Sequence, residues 1–257
     1  MTACTPNSLL KGQLQIYQHK KGYRFSIDPL LLADHAQPRP GEHFVDLGTG
    51  CGVLALLLAT QTPQIRVTAV ELQSDLASLA RNNVIANNLQ HCIHIIEKDM
   101  RLLSQRDLGG PADGVIINPP YFKYHSGRLN PLNEKAAARH EITIDLPGWV
   151  LTARKLLKKS GRLYCIFPAD RMAELLSTMA NNRITPKYLR CVHSLAKNQA
   201  RLILVEGRME ARHGLTVAPP LVLYKNPGEY SDEALRILWP ENQLFFKSPV
   251  DSQNKNE

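Results

Sequence analysis

From Gly41 onward, short runs rich in β-branched residues alternate with segments whose apolar residues recur every three to four positions, and this alternation constrains the fold more than any other feature. Residues 43–47 read as a strand, 52–60 as a helix, and 65–72 as a strand that ends at an acid. Residues 74–88 carry Leu76, Leu79, Ala80 and Val84 at helical spacing, with Ser74 as the N-cap. Strands are expected over 92–97, 114–117 and 161–167, and helices over 149–158 and 170–180. A polar, charge-rich stretch covers 123–145. Strand–helix alternation of this kind predicts an α/β fold, a mostly parallel sheet with helices on both faces. The two further strands, 188–193 and 201–207, have only a polar turn between them, which predicts an antiparallel hairpin at one edge of the sheet. The expected organisation is an N-terminal segment over 1–40 packing on a core over 41–207, a C-terminal extension over 208–247 and a polar, frayed tail over 248–257.

Composition excludes several classes. With 44% hydrophobic and 21% charged residues, the 257-residue chain can bury the core of one large α/β domain. No apolar run reaches the roughly 18 residues of a membrane span. Residues 1–10 lack a basic start followed by an apolar stretch, so a cytoplasmic protein is expected. The five cysteines, Cys4, Cys51, Cys92, Cys165 and Cys191, are scattered without metal-ligand spacing. Three of them sit in apolar runs, as buried free thiols do, and no metal site is expected.

The first strand leads directly into Val45-Asp46-Leu47-Gly48-Thr49-Gly50-Cys51-Gly52, which opens a helix. Alternate glycines let the backbone turn tightly and approach a ligand where a Cβ would collide. The helix N-terminus adds unpaired N–H groups. A dinucleotide loop would read G-x-G-x-x-G; here the pattern is D-x-G-x-G-x-G, with an acid before the loop. Asp46 repels a pyrophosphate and suits a ligand bearing an ammonium or sulfonium group, which favours S-adenosylmethionine over NAD. Glu71 ends the next strand nineteen residues past Gly52, where an acid accepts hydrogen bonds from ribose hydroxyls. Asp99, after the third strand, is placed to accept from an adenine amine, with Met100 covering the ring. Thr49 and Leu72, beside these positions, complete the expected cofactor contacts.

After the fourth strand comes Asn118-Pro119-Pro120-Tyr121, followed by Phe122. Consecutive prolines fix φ and remove two donors, leaving a rigid turn that presents carbonyl oxygens. The Asn118 amide oxygen and the Pro119 carbonyl can accept from one –NH2 group. Such an amine or amide nitrogen is a poor nucleophile while its lone pair is delocalised, and two acceptors on its protons draw it toward tetrahedral geometry. Tyr121 and Phe122 offer flat faces for a planar target. A sulfonium methyl is already electrophilic, so neither a metal nor a covalent nucleophile is needed. The catalytic candidates are therefore Asn118, Pro119, Pro120 and Tyr121.

This arrangement resembles the N-P-P-Y amino-methyltransferases of the class I, Rossmann-like fold. Two segments outside the core extend the resemblance. Tyr23-Arg24-Phe25-Ser26-Ile27-Asp28-Pro29-Leu30-Leu31-Leu32-Ala33 resembles the F-S-x-D-x-x-L-L-A segment of the bacterial tRNA1(Val) (adenine-N6)-methyltransferase family, and Ala138-Arg139-His140-Glu141 resembles its A-R-H-E segment. The resemblance runs from about Leu14 to Gly207. It implies S-adenosylmethionine as cofactor, with Asp46, Gly48, Glu71 and Asp99 serving it and Asp28, Gly50, Gly52 and Asn118 counted with them. Residues 118–122 would then hold the target base, an adenine beside the anticodon of a valine tRNA. Residues 208–246 match the family poorly.

Charge agrees with a polyanionic partner. The net charge is +8, but residues 41–120 carry −3 while residues 1–40 and 121–257 carry +3 and +8. Within the polar stretch, Arg139 is placed to contact phosphate and His140 to contact RNA or the loop itself, whereas Glu141 reads equally as a structural ion-pair partner. Arg154, Lys155, Lys158 and Lys159 end an expected helix, where cations suit the dipole without any ligand. Three other readings share these motifs: a protein glutamine N5-methyltransferase, a ribosomal RNA guanine-N2 methyltransferase, and a non-catalytic S-adenosylmethionine-binding partner protein. The first usually carries a substantial helical N-terminal domain, for which forty residues are too few, and the last does not require the Asn118 turn. No oligomeric state follows from the sequence.

Overall fold

The chain begins with an antiparallel hairpin of β1 (Cys4–Leu9) and β2 (Leu14–His19), followed by α1 (Asp28–Ala36). The computed structural model describes residues 4–19, 26–119 and 145–239. The alternating region then runs β3 (His43–Leu47), α2 (Val53–Gln61), β4 (Arg66–Glu71), α3 (Ser74–Ala86), β5 (Ile93–Glu97) and β6 (Ala112–Ile117). It continues with α4 (Leu146–Leu156), β7 (Leu157–Pro168), α5 (Met172–Asn181), β8 (Ile184–His193) and β9 (Ala200–Met209). Short strands β10 (Thr216–Val217), β11 (Leu221–Val222), β12 (Tyr224–Asn226) and β13 (Glu229–Tyr230) lead to α6 (Asp232–Leu238).

One sheet carries the order β10-β8-β9-β7-β6-β3-β4-β5, with β11 also on β8. Pairing is parallel from β7 through β6, β3 and β4 to β5. The expected antiparallel hairpin is β8–β9, with β9 entering the sheet between β7 and β8. It does not form a bare edge, because β10 and β11 pair parallel along β8.

Strand β3 shows why the sheet is covered on both sides. All five of its residues are buried, as expected of a central parallel strand. Phe44 faces the cluster that α1, α2 and α3 build with Leu31, Leu56 and Ala80, while Val45 and Leu47 face Trp149 and Ala153 of α4. Period-2 alternation thus sends successive side chains into two separate cores. The C-terminal segment belongs to the first: Leu221, Leu223, Ala234 and Leu238 are buried in it. Arg190 of β8 fastens α6 through both oxygens of Glu233 at 2.8 Å, and Ser231 caps that helix by accepting from the Ala234 N–H.

Several expected boundaries move. Helix α4 starts at Leu146 rather than 149, because Asp145 accepts from the Gly148 N–H and Pro147 occupies the first turn, where a missing donor costs nothing. Strand β8 starts at Ile184 rather than 188, and its register shifts between Pro186 and Tyr188, where proline has no N–H to give the ladder. Among the described residues no helix is long and apolar enough to cross a membrane.

Candidate active site

The chain leaves β3 toward β4 and β5 on one side and returns to β6 on the other, so strand order reverses between β3 and β6. At such a point the strand ends part and leave a crevice. Leu47 pairs with Ile117 in the parallel ladder between these strands. Gly48 and Asn118 are the next residues of each, so the glycine turn and the Asn118-Pro119 segment leave adjacent strands at the same end of the sheet. Glu71, the last residue of β4, ends at that edge as well, in register with Glu97 of β5, and Asp99 follows two residues later.

The loop is held by the acids around it. Asp46 is 1% exposed, and its Oδ2 accepts from the Thr49 hydroxyl at 2.5 Å. Desolvation, with a smaller push from Glu71, raises its pKa to about 7. Asp46 therefore supports the loop from behind. Glu71 is buried too: its Oε2 accepts from the Gly50 N–H and its Oε1 from the Leu72 and Gln73 N–H groups, all at 2.9 Å.

All three loop glycines take positive φ, the left-handed region that favours glycine. Gly50 has φ +60° with nothing within 4 Å of where a Cβ would stand, so the backbone opens onto free space. Gly52, at φ +88°, would bring a Cβ to 3.3 Å from the Ala80 Cβ, so α2 and α3 close on the loop only with glycine there. Met100 lies over the loop, its Cε 3.5 Å from a Cβ built at Gly48, and Leu72 keeps 41% of its surface exposed beside Glu71. The Cys51 thiol is no nucleophile: burial raises its pKa to about 11.

Asp99 is engaged differently from the sequence expectation. Its carboxylate accepts from the Arg101 N–H at 2.9 Å and from the Arg101 guanidinium at 2.5 to 3.0 Å, and these bonds hold its pKa below the ordinary aspartate value. Asp28 opens α1; its N–H donates to Ser26 Oγ at 3.2 Å, and burial raises its carboxyl pKa. Its hydrogen bonds do not reach Asp46, Glu71 or Asp99. Asn118 follows β6 directly, and Pro119 is buried. Pro120, Tyr121, Phe122, Arg139 and His140 lie outside the described residues, as do Tyr23 to Phe25.

A reversing parallel sheet, a thrice-glycine turn on its first crevice strand, a buried acid gripping that turn from the second, and Asn118-Pro119 directly after the fourth define a class I methyltransferase. The donor set fits S-adenosylmethionine, since an open glycine backbone, an apolar Leu72 and acidic acceptors stand on one rim.

The chain belongs to the family described as Methyltransferase small domain, whose model matches residues 25–180. It is an enzyme of that family, and its methyl donor is S-adenosylmethionine. A tRNA1(Val) (adenine(37)-N6)-methyltransferase of Porphyromonas gingivalis is 33% identical over 233 residues, covering 87% of this chain and 90% of that one. The protein of the same name from Tolumonas auensis is 30% identical over 235 residues, covering 90% and 89%. Among solved structures, a predicted O-methyltransferase from Agrobacterium tumefaciens superposes with a TM-score of 0.65 at 21% identity, over 82% of this chain and 94% of that one; it shows the shared fold.

Sequence reasoning missed Arg101, which occupies Asp99, and Asn83, whose amide reaches the loop at the Cys51 carbonyl over 2.8 Å. The signal for Asn83 is a polar residue on the apolar face of α3, four residues before a second asparagine.

Proposed function

We propose that the protein transfers a methyl group from S-adenosylmethionine to the exocyclic N6 of an adenine in tRNA, in the cytoplasm. The observation that carries the proposal is the emergence of Gly48 and Asn118 from neighbouring parallel strands whose preceding residues, Leu47 and Ile117, are paired. The names of relatives at 33% and 30% identity over nearly the whole chain support the choice of tRNA and of adenine N6.

In this reading the cofactor is held by the loop from Gly48 to Gly52, including Thr49, with Asp46 behind it. Glu71 takes the ribose hydroxyls with the capacity its three backbone bonds leave. Leu72 and Met100 cover the adenine of the cofactor, and Asp99 receives its amine when Arg101, half of whose side chain is exposed, turns out to solvent. When bound, the cofactor supplies an electrophilic sulfonium methyl. The Asn118 side-chain oxygen and the Pro119 carbonyl accept hydrogen bonds from the two N–H groups of the target amine, which directs the nitrogen lone pair toward the donor side of the crevice. Tyr121 and Phe122 stack the flipped base, and Arg139 and His140 meet the RNA backbone. No residue need act as a strong base, because the amine becomes acidic once it carries the new methyl and releases its extra proton to water. The N-terminal segment joins the core through α1, and the residues after β9 extend it as far as α6.

The test is incubation with labelled S-adenosylmethionine and total cellular RNA, DNA and protein, followed by nucleoside and amino-acid analysis. N6-methyladenosine in tRNA is expected. Asn118→Ala should lower transfer by about a hundred- to a thousandfold, the scale of losing one preorganised hydrogen-bonding group, while cofactor affinity stays within a few-fold. Labelled glutamine in protein, or an active Asn118→Ala enzyme, would overturn the assignment.

A further inference from the structure

Helix α3 presents two asparagines one turn apart to the hairpin strand β2. The Asn83 Oδ1 accepts from the Tyr17 N–H at 2.8 Å, and its Nδ2 donates to the Tyr17 carbonyl at 3.0 Å. The Asn87 Oδ1 accepts from the Gln15 N–H at 2.9 Å, and its Nδ2 donates to the Gln15 carbonyl at 2.7 Å. The spacing is matched: four residues of helix rise about 6 Å and two residues of strand about 6.8 Å. Two side-chain amides thus serve the outer edge of β2 as a neighbouring strand would, satisfying backbone groups that need partners.

Only one of the pair reaches further. The Asn83 Nδ2 also donates to the Cys51 carbonyl at 2.8 Å, inside the glycine loop, whereas the second bond of Asn87 Nδ2 returns to the Asn83 carbonyl at 2.7 Å. Asn83 has no exposed surface, and every donor and acceptor of its amide is engaged by elements other than its own helix. One helical turn earlier, Ala80 lies against Gly52. The same face of α3 therefore touches the loop at two successive residues and the hairpin at Tyr17.

We propose that Asn83 is a positioning residue that couples the N-terminal hairpin to the cofactor loop, so that cofactor binding and docking of residues 14–19 reinforce each other. The proposal rests on the reading of Gly48 to Gly52 as the S-adenosylmethionine site. Its physical basis is that one rigid amide fixes both partners: a loop held in its binding geometry keeps Asn83 in place for Tyr17, and a docked β2 keeps it in place for Cys51. Linkage makes the effect reciprocal.

The test combines hydrogen exchange with calorimetric titration of S-adenosylhomocysteine on the full-length protein. In the wild type, saturation should slow exchange of the Tyr17 amide at least about threefold. Asn83→Ala should weaken binding about tenfold and abolish that slowing, whereas Asn87→Ala, which frees Gln15 but makes no bond to the loop, should stay within about threefold. A merely structural Asn83 would lower the melting temperature and leave affinity within about twofold, which overturns the coupling. Should Asn83→Ala fail to fold, wild-type exchange decides: an unchanged Tyr17 rate sinks the proposal. Glu71→Ala separates the two failures. If it binds as the wild type does, the loop is not the cofactor site; if it binds weakly while Asn83→Ala binds normally, only the coupling falls.

Discussion

Asp46 shows how a single buried carboxyl can serve both loop and ligand. With a pKa raised to about 7, chiefly by desolvation, it is largely protonated at pH 6 and largely ionised at pH 8. S-adenosylmethionine affinity should therefore rise with pH through about 7, and titrations in buffers of different ionisation enthalpy should show a proton released on binding near pH 6.5; Asp46→Asn should remove both effects. The stability sign is opposite. The unfolded chain ionises Asp46 near pH 4 and the folded chain only near 7, so stability declines by several kcal/mol across that window and is flat above it. Chemical denaturation at pH 5 and pH 8, against Asp46→Asn, measures this. Arg101 carries a second prediction. If it competes with the cofactor for Asp99, Arg101→Ala should tighten S-adenosylmethionine binding about threefold, the scale of an exposed ion pair. Unchanged calorimetric affinity would mean that Asp99 keeps Arg101 in the complex.

Elements of the α/β core were legible because their patterns are strong: β3, β4 and β6 are five- or six-residue segments rich in apolar and β-branched residues, and α3 repeats its apolar positions at helical spacing. Less legible were the pieces whose order comes from partners. Strands β10 and β11 are two residues each and exist by pairing with β8, so no local pattern announces them. Pro186 and Gly148 precede the starts expected at 188 and 149, yet the first lies within β8 at a register shift and the second gives its N–H to Asp145. In the site, residue types were readable and bonding states were not, since nothing local says that Arg101 folds back two positions onto Asp99. Gly114 of β6 illustrates an element-level constraint. A Cβ there would stand 2.4 Å from Phe44 Cζ, and that ring is stacked on Tyr164, with centroids 6.1 Å apart, under the Arg162 guanidinium. Gly114→Ala should destabilise the fold by about 1–3 kcal/mol, read as a lower denaturation midpoint, with cofactor affinity of the folded protein unchanged.

At the scale of the molecule, the +8 charge is predicted to act on the acceptor and not on the donor. Methyl transfer to tRNA, measured as kcat/KM, should fall steeply between about 50 and about 200 mM salt, while S-adenosylmethionine affinity changes little. Equal salt sensitivity of both would argue against a polyanionic acceptor. The rung joining Leu47 to Ile117 has a further consequence. Because the two turns continue directly from paired residues, the hydrogen-bond ladder acts as a fixed gauge between the nitrogen that attacks and the carbon it takes. Deleting a single residue from either strand would slide one jaw by about 3.3 Å, far beyond the ångström-scale tolerance of an in-line displacement. Additions to the periphery leave that gauge untouched, so the acceptor can be changed from outside without recalibrating the reaction.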